Sequence, residues 1–246
     1  TPAATAATNI AAKSFTANWN ASAGAEKYRL TVYNGSTSVF TTETTATTFD
    51  VTGLDCSTAY TYSVVAIGGG YESATASNSI SVTTQTPLIS SDKTAVDFSV
   101  VFGNSAEASV NLTSQYLADA INIALQGGEP YSVSPVTINE SGALTINFAP
   151  NTIGRFADII IATSECAAEL NIAISGVAIP VAPVATEATN IRCETFTANW
   201  EAVENASYTL YLNGEEKYSG TENSYDFTGL EPNTAYNYYV TVTIND

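Results

Sequence analysis

One six-residue phrase is written twice in this chain. Ser14-Phe15-Thr16-Ala17-Asn18-Trp19 returns, 181 positions later, as Thr195-Phe196-Thr197-Ala198-Asn199-Trp200. The likeness runs outward from both copies. Ala7-Thr8-Asn9-Ile10 is matched by Ala188-Thr189-Asn190-Ile191, Asn34-Gly35 by Asn213-Gly214, and Leu54, Thr58 and Tyr60 by Leu230, Thr234 and Tyr236. A repeat at this offset means two similar units with an unrelated insert of domain size between them. The expected units are residues 1–86, 87–180 and 181–246. Domains this small bury only about 60–65% of the surface of the unfolded chain, so each core needs large residues. The two tryptophans and 14 tyrosines meet that need.

Within the first unit the apolar residues alternate with period two, the pattern of half-buried strands. Phe15, Ala17 and Trp19 share one strand face, and Tyr28, Leu30 and Val32 share another. Asn34-Gly35 should give a tight hairpin with positive φ at both residues. Gly68-Gly69-Gly70 reads as a hairpin loop. Seven short strands with regular turn signals predict a two-sheet sandwich. The Thr84-Gln85-Thr86-Pro87 stretch reads as a short linker. The insert is also strand-rich, over 96–102, 108–112, 121–125, 144–148, 155–162 and 170–175, with Gly176 ending its last strand. Ala178-Ile179-Pro180-Val181-Ala182-Pro183 reads as a Pro-spaced, semi-rigid connector. The fold class is therefore all-β: three tandem immunoglobulin-like β-sandwiches, the last truncated before its final strand.

The tryptophan on the second strand and the Gly-Leu-x-x-x-Thr-x-Tyr corner resemble fibronectin type III domains in the first and third units. That resemblance implies that the hydroxyls of Tyr60 and Tyr236 bond back to nearby backbone and close the turn between sheets. In the insert, Pro130-Tyr131-Ser132-Val133-Ser134-Pro135, the run from Ile146 to Gly154, and Ile172-Ala173-Ile174-Ser175-Gly176 resemble a Hydin-type (abnormal-spindle-like) immunoglobulin fold. Both resemblances imply spacer and protein-contact modules, as in secreted bacterial multidomain proteins.

The second repeat has only ten residues after its corner tyrosine, against 26 before Pro87 in the first. Residues 236–242 are thus expected to form an open, apolar edge. Such an edge should pair with further chain or with another molecule, or fray. The chain has no methionine and is expected to be a mature or excised piece whose signal peptide is gone. No apolar run approaches the ~20 residues of a membrane helix. An extracellular or cell-surface location is expected from the Thr, Ser and Asn abundance.

Charge is sparse and one-sided, with 24 acidic against seven basic residues and a net charge of −17. Lys13, Lys27, Arg29, Lys93, Arg155, Arg192 and Lys217 are scattered, whereas polyanion binding needs clustered cations. Nucleic acid and anionic membrane surfaces are expected to be poor partners. The three cysteines fall one per unit. They read as unpaired, partly buried thiols, with a Cys166–Cys193 bridge across the second junction as the alternative.

With no histidine the chain lacks the common triads and catalytic zinc sites. It has no phosphate loop and no calcium loop. Glu201, Glu204, Glu215 and Glu216 read as solvated turn acids. No catalytic, cofactor-binding or metal residue is expected. Five glycosylation sequons, at Asn20, Asn34, Asn111, Asn139 and Asn205, arise readily by chance in such a composition. The leading reading is a non-catalytic spacer, adhesion or protein-interaction segment with a protein or glycan partner at the cell surface. The alternative is a carbohydrate-binding or presenting accessory region of an extracellular polysaccharide-degrading enzyme. Sugar binding needs grouped, exposed aromatic rings, and Tyr71, Tyr116 and Tyr131 are the candidates for loop exposure.

Overall fold

The computed structural model describes residues 1–203 and 206–244. Every element in it is a strand. The first sandwich is built from β1 (Ala4–Thr8), β2 (Phe15–Trp19), β3 (Lys27–Asn34), β4 (Thr37–Thr44), β5 (Thr48–Val51), β6 (Ala59–Gly68), β7 (Tyr71–Glu72) and β8 (Ile80–Thr83). One sheet has the order β1-β2-β5; the other runs β4-β3-β6, with both β7 and β8 beyond β6. The alternation in the sequence becomes burial: Phe15, Ala17, Trp19, Tyr28, Leu30 and Val32 all lie in one buried cluster with Tyr60, Tyr62 and Val64.

The middle sandwich contains β9 (Leu88–Ser91), β10 (Ala95–Val101), β11 (Ala106–Gln115), β12 (Ile121–Leu125), β13 (Tyr131–Ser134), β14 (Thr137–Ile138), β15 (Gly142–Phe148), β16 (Gly154–Thr163) and β17 (Leu170–Ile179). Its sheets are β10-β17-β16-β12-β14 and β13-β15-β11-β9. β10 joins β17 in parallel, whereas its other pairings are antiparallel. Gly176 does not end the last strand; it sits within β17. A Cβ there would meet Phe148 Cζ at 2.5 Å and the Tyr131 hydroxyl at 2.8 Å. The glycine is there because two aromatic rings need its space.

The last sandwich comprises β18 (Ala185–Thr189), β19 (Phe196–Trp200), β20 (Ala206–Leu212), β21 (Glu215–Gly220), β22 (Ser224–Phe227) and β23 (Tyr238–Ile244). Its sheets are β18-β19-β22 and β21-β20-β23. The strand expected over 236–242 thus begins at Tyr238, and all seven of its residues pair with β20. Its outer edge has no strand beside it among the described residues, where the matching edge of β6 holds β7 and β8.

The two repeats fold alike down to single hydrogen bonds. Asn9 Nδ2 donates to Thr16 Oγ1 at 3.2 Å, and Thr16 Oγ1 donates to Asp50 at 2.6 Å. Asn190, Thr197 and Asp226 repeat the chain at 3.1 and 2.6 Å. Trp19 meets Tyr28 edge-on, as Trp200 meets Tyr208. The hairpins differ. At Asn213-Gly214 both residues have positive φ, but at Asn34-Gly35 only the glycine does. Asn34 remains in the ladder opposite Thr37, so that turn is centred on Gly35-Ser36.

Candidate functional site

The two corner tyrosines do what their motif implies. The Tyr60 hydroxyl accepts the Asp55 amide proton at 2.9 Å, and the Tyr236 hydroxyl accepts that of Glu231 at 2.9 Å. A second pair was not singled out in the sequence. Tyr62 donates to the carbonyl of Thr5 and accepts from Asn18 N at 3.2 Å, tying β6 to both β1 and β2 across the sandwich. Tyr238 repeats this with Thr186 and Asn199. The signal was available: a tyrosine two positions after the corner falls on the same inward face.

The Tyr60 corner is also where the first sandwich meets the second. The stretch from Thr84 to Thr86 is strapped onto it. Thr84 is 2% exposed, and its Oγ1 donates to Asp55 O at 2.7 Å and accepts from Thr58 N at 2.9 Å. Gln85 N donates to Ala11 O at 2.9 Å, and Ser57 N to Gln85 O at 3.2 Å. Cys56, in this corner, is disulfide-bonded to Cys166 in the β16–β17 loop, with a Cα–Cα separation of 6.2 Å. Beside it Lys13 Nζ meets Glu165 Oε1 at 2.5 Å. The hydrogen bond and charge of the Lys13 ammonium hold the Glu165 carboxyl below its usual range. Glu165 in turn raises Lys13.

This corrects the cysteine expectation twice. Cys56 and Cys166 are paired, and Cys193 is the exposed free thiol. The reason is the direction of β17. The β16–β17 loop lies against the first sandwich, and ten strand residues at about 3.3 Å each then carry the chain roughly 30 Å away. Cys193 follows that traverse, so closeness in sequence did not bring it near Cys166.

The aromatic candidates do not converge. Tyr71 is 81% exposed beside Gly69 and Gly70, and Tyr116 is 51% exposed in the β11–β12 loop. They belong to different sandwiches, Tyr71 to the first and Tyr116 to the middle one. Tyr131 is no surface residue. It is 3% exposed, stacks on Phe148 with ring centroids 5.0 Å apart and donates to Phe156 O at 3.2 Å. Burial, with Asp158 and Asp97 nearby, pushes its phenol up to about 12.

Two aromatic rings do come together elsewhere, one half-buried and one exposed. Tyr211 on β20 faces Tyr239 on β23 directly across the ladder. Their rings stack 4.8 Å apart with 10° between planes, on the solvent side of the sheet. Comparing the repeats position by position would have found them, because the first sandwich has Thr31 and Ser63 at the same rung.

The cations are mostly consumed. Lys27 and Arg29 both bind Glu43, Arg29 also binds Glu72, and Lys217 binds Glu215. Lys93 Nζ donates to Ser109 O at 2.6 Å. Among the described residues, no group of three or more His, Cys, Asp or Glu is placed to hold a metal, and no helix is long and apolar enough to cross a membrane. Glu215 and Glu216 lie exposed in the β20–β21 hairpin and Glu201 just after β19, while Glu204 and Asn205 fall outside the described residues.

The fold thus defines an all-β chain of serial sandwiches whose organised contacts lie at a junction and on one sheet face. Parts of the chain are similar to known proteins. Residues 1–83 match the fibronectin type III domain family. The chain is 28% identical over 254 residues to exoglucanase B of Cellulomonas fimi, covering 94% of this chain and 23% of that protein. It therefore spans under a quarter of that relative's length. Among solved structures, the FN1–FN3 domains of chicken CNTN1 align over 99% of this chain at 11% identity with a TM-score of 0.29. A PapD-like domain of human CEP192 aligns over 38% at 14% identity with a TM-score of 0.31.

Proposed function

We propose that this chain is a non-catalytic spacer of an extracellular protein, one that fixes the distance and angle between the parts it joins. The observation that carries this reading is the double brace across the first junction, the Cys56–Cys166 bridge and the Lys13–Glu165 ion pair, beside a linker that Thr84 ties down onto the first sandwich. A flexible tether needs none of these. A disulfide exposed at one half is also at home in an oxidising compartment. The domain limits 1–86, 87–180 and 181–246, and the Hydin-type character of the middle sandwich, belong to the same proposal. A protein partner adding a strand to the open edge of β23 would extend it, through main-chain pairing; an isolated monomer with that edge ordered and unpaired in solution counts against that extension.

The test is a distance measurement by electron–electron resonance, with spin labels on Thr42 in the first sandwich and Thr145 in the second. A single narrow distribution that broadens on reduction supports the spacer. A distribution equally broad before and after reduction sinks it.

A second reading has one specific observation in its favour. The 28% identity to exoglucanase B covers nearly the whole chain but a minor part of that protein. On this reading the sandwiches are an accessory region of a polysaccharide-degrading enzyme. Fusing the chain to a glucanase catalytic domain and comparing activity on soluble and insoluble glucan separates the two. A gain confined to insoluble substrate favours the accessory role, and equal rates leave the spacer.

A further inference from the structure

We propose that the solvent face of the last sandwich is a glycan platform centred on Tyr211 and Tyr239, taking a neutral chain of pyranose rings rich in equatorial hydroxyls. The inference goes beyond spacing and rests on a different part of the molecule.

The two repeats supply an internal control. They share the order of their common strands, the register of β3 with β6 and of β20 with β23, and buried hydrogen bonds, so what differs along those rungs is not demanded by the shared fold. At the rung where the first sandwich has Thr31 opposite Ser63, the last has Tyr211 opposite Tyr239. At the next rung the first has Arg29 opposite Val65, and the last has Thr209 opposite Thr241. The first sandwich closes its face with ions: Arg29 is held by Glu43 and Glu72. The last leaves its face almost uncharged and aromatic. Tyr239 is 51% exposed although its sheet already has an inward core face.

The chemistry of that face selects a ligand. An aromatic ring carries a negative π face that attracts C–H bonds. The rings stack on each other, so each offers its outer face. A pyranose with equatorial hydroxyls lays its axial C–H bonds on such a face and sends its hydroxyls sideways, and Thr209 and Thr241 form the next rung on the same side of the sheet. Tyrosine loses little rotamer freedom on binding, since only two torsions need fixing. Anionic sugars are disfavoured by the net charge of −17 and by Glu216, which lies opposite Tyr211 on β21.

Affinity electrophoresis of the full chain tests this, in gels containing soluble β-1,4-glucan, the neutral furanose polymer levan, or polygalacturonate. The expected result is retardation by β-1,4-glucan and not by the other two. Retardation should fall at least fivefold when Tyr211→Thr and Tyr239→Ser copy the first sandwich, and persist when both become Phe. No retardation of the intact chain, or equal retardation of the Thr/Ser variant, overturns the proposal; retardation by polygalacturonate alone overturns the ligand class. Should the Thr/Ser variant fail to fold, nitration of the intact chain decides. Added β-1,4-glucan must shield Tyr239 and leave Tyr71 reactive, and equal nitration with and without glucan refutes the platform. Failure here leaves the spacer reading intact, because that reading stands on the first junction.

Discussion

Cys56 and Cys166 are separated by 110 positions of chain and joined by a bond. Neither belongs to a buried core cluster; both lie in loops, one in each of two sandwiches. The bridge therefore governs how the sandwiches sit against each other rather than how each folds.

Cys56→Ser should accordingly leave both cores folded. Closing a loop of ~110 residues is worth about 4–5 kcal/mol if both sandwiches unfold in one step, and less if they unfold separately. Urea denaturation with and without reductant checks this. Two resolved transitions after reduction, with little change in either midpoint, are the expected outcome.

The ion pair beside the bridge gives a pH dependence. Glu165 is held below its usual range in the folded chain, so its contribution is present above the unfolded carboxylate value and lost as pH falls through the depressed one. Lys13 is raised, so its contribution is present below the unfolded lysine value and lost as pH rises through the folded one. Both groups are solvent-exposed, and the effect should shrink in salt. In a Cys56→Ser background, Glu165→Gln should loosen the junction at neutral pH and change nothing once the medium is acid enough to protonate Glu165. Small-angle scattering across pH reads this directly.

The tyrosine hydroxyls should rank by burial. Tyr62→Phe removes a hydrogen bond to Thr5 and an acceptor for Asn18, in a side chain with no exposed surface. A loss of about 1–3 kcal/mol is expected. Tyr236→Phe, at a half-buried corner, should cost less, since water can reach the freed Glu231 amide. Thermal unfolding of both variants tests the order.

Gly176→Ala should destabilise the middle sandwich by about 1–3 kcal/mol, because the added methyl would overlap Phe148 and the Tyr131 hydroxyl. Alkaline titration should move with it. Burial holds the Tyr131 phenol up at about 12, so a variant that opens this pocket should ionise earlier at 295 nm.

Much of the fold was legible because the code for it is local. Phe15, Ala17 and Trp19 announced an inward face by spacing alone, and all three are buried. Tyr60 and Tyr236 were readable because a corner is closed within six residues. Tyr131 was misread because two flanking prolines look like a loop, whereas Tyr131 to Ser134 form a strand against β15. The Cys56–Cys166 pairing was not legible at all. It depends on how two sandwiches dock, and no sequence periodicity records that. The Tyr211–Tyr239 stack lay between these cases, hidden in the alternation but exposed by laying one repeat on the other.

The bridge also decides what the chain does under load. When its two ends are pulled apart, tension passes from Cys56 through the sulfurs to Cys166, and the residues between them carry none of it. Roughly 380 Å of contour, at about 3.5 Å per residue, is withheld from extension. Single-molecule pulling should release that length only after reductant is added. In an oxidising environment the chain is thus a short, stiff tether, and in a reducing one the same sequence becomes a long, extensible one.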